Sequence, residues 1–459
     1  MPIQQIFLGV GGAEAETYWI TIVGDDSPYM QIRDKDTVAV YTDGSVYSGC
    51  NMDDGSDGDR KSYLVKLDKT GAVSWQRTVA NDARSWGAGG LQVDSAGDVY
   101  QCGQKSASDG DGQFVHKFNS SGAIQWQRRL YGNKEEWPTD IVVDSSDNVY
   151  VFGPQEINGE SSKQQSLMAK YSSSGTLIWQ KRLYWSISSK EYKSHFQAAI
   201  DSNDNIYTQG SLYESGAQPK GGLFKIDDDG DDVWVRTQVT TSTDTRGLGV
   251  AVDSSDNVIT CAYCGDTGTN TIVKYDSSGD LVWQKYIESG SSDTFTSLDG
   301  IQSLAVDTND SIYGIGSCSG SGTGDWIFLA KWNSSGTLQW QRRIQKERND
   351  DWASATDYDT VGSSIRTLGN HSVYFAMRVG SLTANEESLA VCKLPADGTL
   401  TGSHGDFDIT ATTFTYGTDT TLVTNGSESL GTTTSSISTN TPSYTVATVS
   451  FTSLKTDVD

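Results

Sequence analysis

The sequence predicts an all-β fold: a seven-bladed β-propeller of four-stranded antiparallel blades. An N-terminal strand closes the last blade, and a Thr/Ser-rich, β-like C-terminal extension follows. Three observations predict it. One phrase recurs along the 459 residues as KLDKTGAVSWQR (66–77), KFNSSGAIQWQR (117–128), KYSSSGTLIWQK (170–181), KIDDDGDDVWVR (225–236), KYDSSGDLVWQK (274–285) and KWNSSGTLQWQR (331–342). A seventh copy, KLPADGTLTG (393–402), lacks the Trp. A second phrase precedes each copy, in forms such as VDSAGDVYQCG, VDSSDNVYVFG and VDTNDSIYGIG. Third, Trp75, Trp126, Trp179, Trp234, Trp283 and Trp340 stand 51, 53, 55, 49 and 57 residues apart. Self-similarity at such a period marks stacked supersecondary units.

Each unit reads as four short strands separated by turn residues. In the third unit they cover 141–144, 149–153, 167–171 and 177–183. Ser-Ser-Asp-Asn joins the first pair and Ser-Ser-Gly the last, both suited to tight hairpins. A lone four-stranded sheet leaves both faces open, and radial stacking buries each against a neighbour. One Trp per blade is expected to wedge adjacent sheets apart, each burying on the order of 200 Å². Trp19 lies 56 residues before Trp75, one further period back. Residues 17–23 are therefore expected to form the outermost strand of the last blade, beside 389–394, which removes the open edge of the ring. The polar residues after each Trp, such as Gln127 and Arg128, are expected to satisfy turns or face solvent.

The chain then divides into an N-terminal assembly segment (1–16), the propeller (17–402) and a C-terminal extension (403–459). Residues 406–459 hold 17 Thr and 8 Ser but one Lys. Such composition suits a flexible stalk. The alternation in TATTFTY and YTVATVSF instead suits extended arms that pair with neighbours.

Composition excludes several classes. Acidic residues outnumber basic ones 59 to 34, for a net charge of −25, the wrong sign for nucleic acid, whose affinity rests on Lys and Arg displacing counterions. No 18-residue apolar run is present, so no helix is expected to insert in a membrane. No Lys or Arg precedes Arg33, so the basic region of a secretory signal is lacking. Six cysteines are too few for a disulfide scaffold. Cys261 and Cys264 form one C-x-x-C without the second pair that zinc requires. Asp53, Asp54, Asp57 and Asp59, and Asp227, Asp228, Asp229 and Asp231, offer hard oxygen ligands, but turn chemistry accounts for the second group. No metal and no cofactor is assigned. His116, His195, His371 and His404 are scattered among units, no catalytic residue is expected, and the chain is read as not an enzyme.

One face of the ring is expected to carry variation. The connections between second and third strands differ in length (51–62, 154–166, 212–222), and the blade-to-blade connections leave on the same side. Some 10 to 13 residues after successive Trp positions come Tyr29, Trp86, Trp137, Tyr192, Phe295 and Trp352, with Arg246 after Trp234. Two readings are open: a ring of aromatics that stacks on a glycan or other receptor, or caps over the crevices between blades.

LDKTGAVSW resembles the tryptophan-docking motif of quinoprotein propellers and the repeats of generic bacterial β-propeller families. That resemblance covers about 17–402 and implies architecture, not activity. Quinoprotein dehydrogenases typically have eight blades and many have adjacent cysteines. This chain has seven units and no adjacent pair. Sialidase-type Asp boxes place the aromatic three residues after Gly, against four here. At the ends, MPIQQIFLGVGGAEA and the Thr/Ser-rich tail resemble virion structural proteins of marine bacteriophages, especially cyanophages. This resemblance implies a non-enzymatic virion protein, located in tail, fibre or capsid decoration. Its expected partners are other virion proteins and copies of itself, with a host surface glycan as a further candidate through host attachment. The alternative is a secreted or cell-surface bacterial propeller that binds carbohydrate.

Overall fold

The computed structural model describes residues 16–404 apart from 24–28, 32–37, 54–59, 81–84, 106–111, 132–137, 158–159, 186–189, 215–218, 240–244, 265–268, 289–294, 321–323, 347–363 and 381–386; beyond 404 it describes 407–411, 415–417, 424–426, 430–434, 438–440, 445–448 and 453–457. Every described element is a strand, and the strands form seven antiparallel sheets arranged as blades. Blade 3 shows the plan: Asp140–Val143, Val149–Ile157, Glu160–Tyr171 and Leu177–Trp185 pair in sequence order. The first hairpin is held by its opening Asp. The Asp144 carboxylate accepts the N–H groups of Ser146 (3.0 Å) and Asn148 (2.8 Å), an Asx turn. Asp147 then takes a positive φ of 59°, which Asp tolerates better than most residues.

The second and third strands are longer than the sequence reading allows. Gln155 pairs with Gln165 and Glu156 with Gln164, so most of 154–166 is hairpin, not loop. At 51–62 and 212–222 the strands likewise run on, to Asp53 and Glu214, and resume at Arg60 and Lys220; 54–59 and 215–218 lie outside the described residues. Gln, Ser and Lys look like loop residues, yet a ladder needs only their backbones. Blade 1 departs at its inner edge, where Tyr29–Gln31 and Val38–Val40 both pair with Val46–Asp53.

Blade 7 is closed as expected. Trp19–Val23 lies antiparallel to Glu387–Pro395, with Trp19 opposite Lys393 and Val23 opposite Leu389. The extension then adds a fifth strand to every blade. Phe407–Ala411 joins blade 6, Thr415–Gly417 blade 5, Thr424–Gly426 blade 4, Leu430–Thr434 blade 3, Ser438–Asn440 blade 2, Thr445–Thr448 blade 1 and Ser453–Asp457 blade 7. The tail thus circles the ring against the direction of the chain. The neighbours with which its β pattern pairs are the chain's own blades. Its last described strand, Ser453–Asp457, seats on Trp19–Val23, so the closing strand of blade 7 is paired on both sides.

The core is divided. Each crevice between adjacent blades holds its own cluster of buried apolar residues, seven in all. Trp19 and Val23 face blade 1, whereas Ile20, on the opposite face of the same strand, packs against blade 6. The terminal strand therefore contributes to two cores.

Candidate functional site

The repeated polar residues form a clasp between blades. Each indole N–H reaches one carbonyl in the last turn of the next blade: Trp19 to Lys69 (3.2 Å), Trp75 to Ser120 (3.1 Å), Trp126 to Ser173 (2.9 Å) and Trp179 to Asp228 (3.1 Å). Trp234, Trp283 and Trp340 do the same to Ser277, Ser334 and Ala396. The Lys that opens the phrase donates to that carbonyl too, as Lys66 does at 3.1 Å and Lys225 at 3.1 Å. Arg77, Arg128 and Arg236, two residues after their Trp, lie over its ring and donate to the Gly carbonyl of the same neighbouring turn. The approach requires Gly. A Cβ on Gly71, at φ +82°, would stand 2.5 Å from the Trp19 ring.

Beneath the clasp, blades 2 to 6 each bury a Lys–Asp pair between the two phrases. The distances are 2.9 Å for Lys117–Asp94, 3.4 Å for Lys170–Asp144, 3.4 Å for Lys225–Asp201, 2.6 Å for Lys274–Asp253 and 3.7 Å for Lys331–Asp307. Burial alone pushes the carboxyls of Asp144 and Asp253 up. Hydrogen bonds from Asn148 and Tyr150 to the first, and from Lys274 and Asn257 to the second, outweigh it and hold both below the ordinary carboxylate range. A depressed native pKa contributes stability above the unfolded value, near 4, and that contribution is lost as pH falls through the native value. Melting temperature is therefore expected to hold from pH 7 to about 5 and to fall below about 4. The double variant Asp144→Asn, Asp253→Asn should show a shallower acid decline in calorimetry. An unchanged decline would remove these carboxylates as its cause.

Blade 7 lacks the Asp, with Leu368 at the corresponding position of its hairpin. Its Lys393 is still buried and sits 5.7 Å from the Tyr374 ring and 5.8 Å from that of Tyr18. Burial holds its ammonium below the usual lysine value; Glu16 opposes that shift and Lys69 adds to it. Glu16 also accepts from Ser372 at 2.8 Å. The N-terminal segment thus brings the carboxylate that the hairpin lacks, three residues before the Trp that the seventh repeat lacks.

At the inner edges, side chains of one blade satisfy backbone groups of the next. Ser303 accepts from the Ile365 N–H and Ser364 from that of Val38, both at 3.4 Å. Blade 5 has Gly249 at this position and nothing to offer. Gln197 of blade 4 therefore accepts from Val250 (3.1 Å) and reaches past it to both the N–H and the C=O of Leu304 in blade 6, each at 3.1 Å. Cys261 fills the same gap, its Sγ 3.0 Å from the Ile301 carbonyl.

The candidate receptor residues fall at the opposite end from the clasp. Tyr29 and Phe295 open the inner strands of blades 1 and 6, and Trp86 and Tyr192 lie near the start of those of blades 2 and 4. Their partners, Asp53, Gly320, Gln104 and Leu212, lie at or near the ends of second strands. Arg246 holds the matching place in blade 5, opposite Tyr263. Trp137 and Trp352 lie outside the described residues. Among the described residues no three His, Cys, Asp or Glu side chains converge as metal ligands. Asp54, Asp57 and Asp59 fall outside them. The 227–231 turn is taken up by structure: Asp227 accepts the Asp231 N–H (2.8 Å), and the Asp231 carboxylate pairs with Lys181 (2.6 Å). No helix among the described residues is long and apolar enough to cross a membrane.

No protein-family model and no curated protein matches the sequence. Solved structures similar in shape include a protein of unknown function from Dyadobacter fermentans, at TM-score 0.43 and 11% identity over 81% of this chain and 99% of that one. A polysaccharide lyase matches at TM-score 0.42 and 9% identity over 79% and 90%. A gluconolactonase from Xanthomonas campestris matches at TM-score 0.34 and 14% identity over 67% and 93%. Likeness at this level is one of fold and carries no activity across. The propeller assignment itself rests on the chain's own strand order.

Proposed function

We propose that this chain is a non-enzymatic structural protein of a phage particle, placed in the tail, a fibre or a capsid decoration, where it contributes to attachment. The observation that carries the reading is the circumferential strand. Both ends of the chain serve to hold the ring shut, and every blade receives a fifth strand from the tail. Covered edges resist edge-to-edge association, and the closing strand Trp19–Val23 is paired on both sides, both properties that suit a part exposed outside a cell. The resemblance of the two ends to marine phage virion proteins supplies the setting. A second reading, a secreted propeller that binds carbohydrate, draws support from the backbone placement of Tyr29, Trp86, Tyr192 and Phe295 at one end of the ring.

One experiment separates the two. Purified particles and the cell-free medium from the producing culture are compared by quantitative mass spectrometry, and the particles are then imaged by reconstruction. The virion reading expects the chain at a fixed copy number per particle, with a ring-shaped density at a defined place. Enrichment in the medium without particles would transfer the argument to the secreted propeller.

A further inference from the structure

The seven tail strands differ in length and reach, yet all of them cross the residue that stands three after the blade Trp. Three blades carry Arg there: Arg129 lies opposite Asn440, Arg182 opposite Thr433 and Arg343 opposite Thr410. Elsewhere Tyr286 and Thr237 lie opposite Gly417 and Gly426, Thr78 opposite Ala447 and Ile22 opposite Leu454. Where the blade has Arg, the tail has Thr or Asn; where it has not, the tail has Gly, Ala or Leu. Composition does not produce this match. Thr, Ser and Asn make up half of residues 406–459, so they would fall opposite arginine and other residues alike. One residue further along, Gln238 of blade 4 is the only polar side chain among the seven blades, and Asn425 opposite it is the only amide among their tail partners.

A guanidinium at this place needs acceptors. Arg129 is only 2% exposed, and the Nε of Arg182 is buried with no hydrogen-bond partner among the described residues. In blade 6 the Arg343 Nε donates to the Thr410 Oγ1. A buried donor left without an acceptor is costly, and a hydrogen bond to a charged group is among the stronger ones. Residues directly opposite on an antiparallel ladder are the pairs whose side chains interact.

We infer that this position is an address: the residue pair there, and not the strand propensity of the tail, assigns each tail strand to its blade. A shift of the whole tail by one blade, in either direction, would set two of the three arginines opposite Gly, Ala or Leu. It would also part Asn425 from Gln238. The tail therefore has one seating on the ring, with Arg129, Arg182 and Arg343 as its positioning residues. The inference does not depend on where the chain works.

The test is hydrogen exchange of the full chain, read by mass spectrometry. Thr410→Val and Thr433→Val keep the size and β preference of the residue and replace its hydroxyl by a methyl. Each should speed exchange of its own tail strand, Phe407–Ala411 or Leu430–Thr434, by about tenfold, as the loss of a hydrogen bond to a charged group implies. The outer strands of the blades should exchange as in wild type. Thr410→Ser, which keeps the hydroxyl, should exchange at the wild-type rate, and Thr439→Val, opposite Leu130, should change nothing. In an Arg343→Leu background Thr410→Val should have no further effect, because the pair is then already broken. Should Arg343→Leu fail to fold, the contrast between Thr433→Val and Thr439→Val decides. Wild-type exchange in both Thr410→Val and Thr433→Val would overturn the inference, and so would equal acceleration by Thr439→Val, since the tail would then be held by strand pairing alone. An undiminished effect of Thr410→Val without Arg343 would overturn it too.

Discussion

Removal of residues 1–23 is expected to unfold the ring or leave it aggregated at ordinary temperature. The truncation takes away Trp19, Ile20 and Val23, each fully buried, and it does so in two cores at once. Loss of a buried Trp costs about 3–5 kcal/mol, and each aliphatic side chain a further 2 kcal/mol or so. The sum approaches the whole stability of a typical domain, about 5–15 kcal/mol. Two further losses follow. Lys393 would remain in blade 7 without Glu16, and Ser453–Asp457 would lose the strand on which it pairs. Calorimetry and size-exclusion chromatography check the outcome. A soluble, monodisperse truncation that melts at the wild-type temperature would show that the strand is dispensable. A narrower test addresses the charge: Glu16→Gln should lower the melting temperature by a few degrees, since Lys393 then stays buried without the opposing carboxylate.

How much of this was legible depends on whether the information lies in side-chain pattern or in backbone pairing. Trp19 announced its place because it stands one period before Trp75. The Asp94–Lys117 type of pair was visible in both phrases but not as a pair, since the two residues belong to different hairpins and only the fold brings them together. Gln197 was invisible in principle to a repeat reading. It matters because the position varies from blade to blade, with Ser303 and Ser364 in blades 6 and 7, Asp140 in blade 3 and Gly249 in blade 5. The tail was half legible: alternation in TATTFTY implied strands, but nothing in three to five Thr and Ser residues names an outer edge as partner. The backbones of Tyr29, Trp86, Tyr192 and Phe295 lie at one end of the ring. Whether they stack on a glycan or cap crevices rests on side-chain exposure, which spacing does not encode.

Deletion of residues 403–459 is expected to leave the ring folded but strongly prone to associate. Six of the seven crevice cores include no described tail residue, and the core between blades 6 and 7 loses Ile409, so most of the burial survives the loss. A backbone hydrogen bond contributes about 1 kcal/mol net, whereas ordering a residue costs about 1–2 kcal/mol. Strand pairing by itself therefore does not hold the tail in place, and buried side chains must anchor it. Ile409 is one such anchor, 1% exposed in the crevice between blades 6 and 7. Beside it Thr410 accepts a hydrogen bond from Arg343, whose guanidinium lies 4.6 Å over the Trp326 ring. The melting temperature should fall by only a few degrees, while seven unpaired outer edges drive association that rises with concentration. In the intact chain, hydrogen exchange should find the tail opening before the blades, with Phe407–Ala411 the slowest part of it, and Ile409→Ser should speed exchange along the other tail strands. If the deletion stays monomeric at high concentration, or if tail amides exchange only with global unfolding, the circumferential strand is not an edge cover held by local anchors but part of the core of the fold.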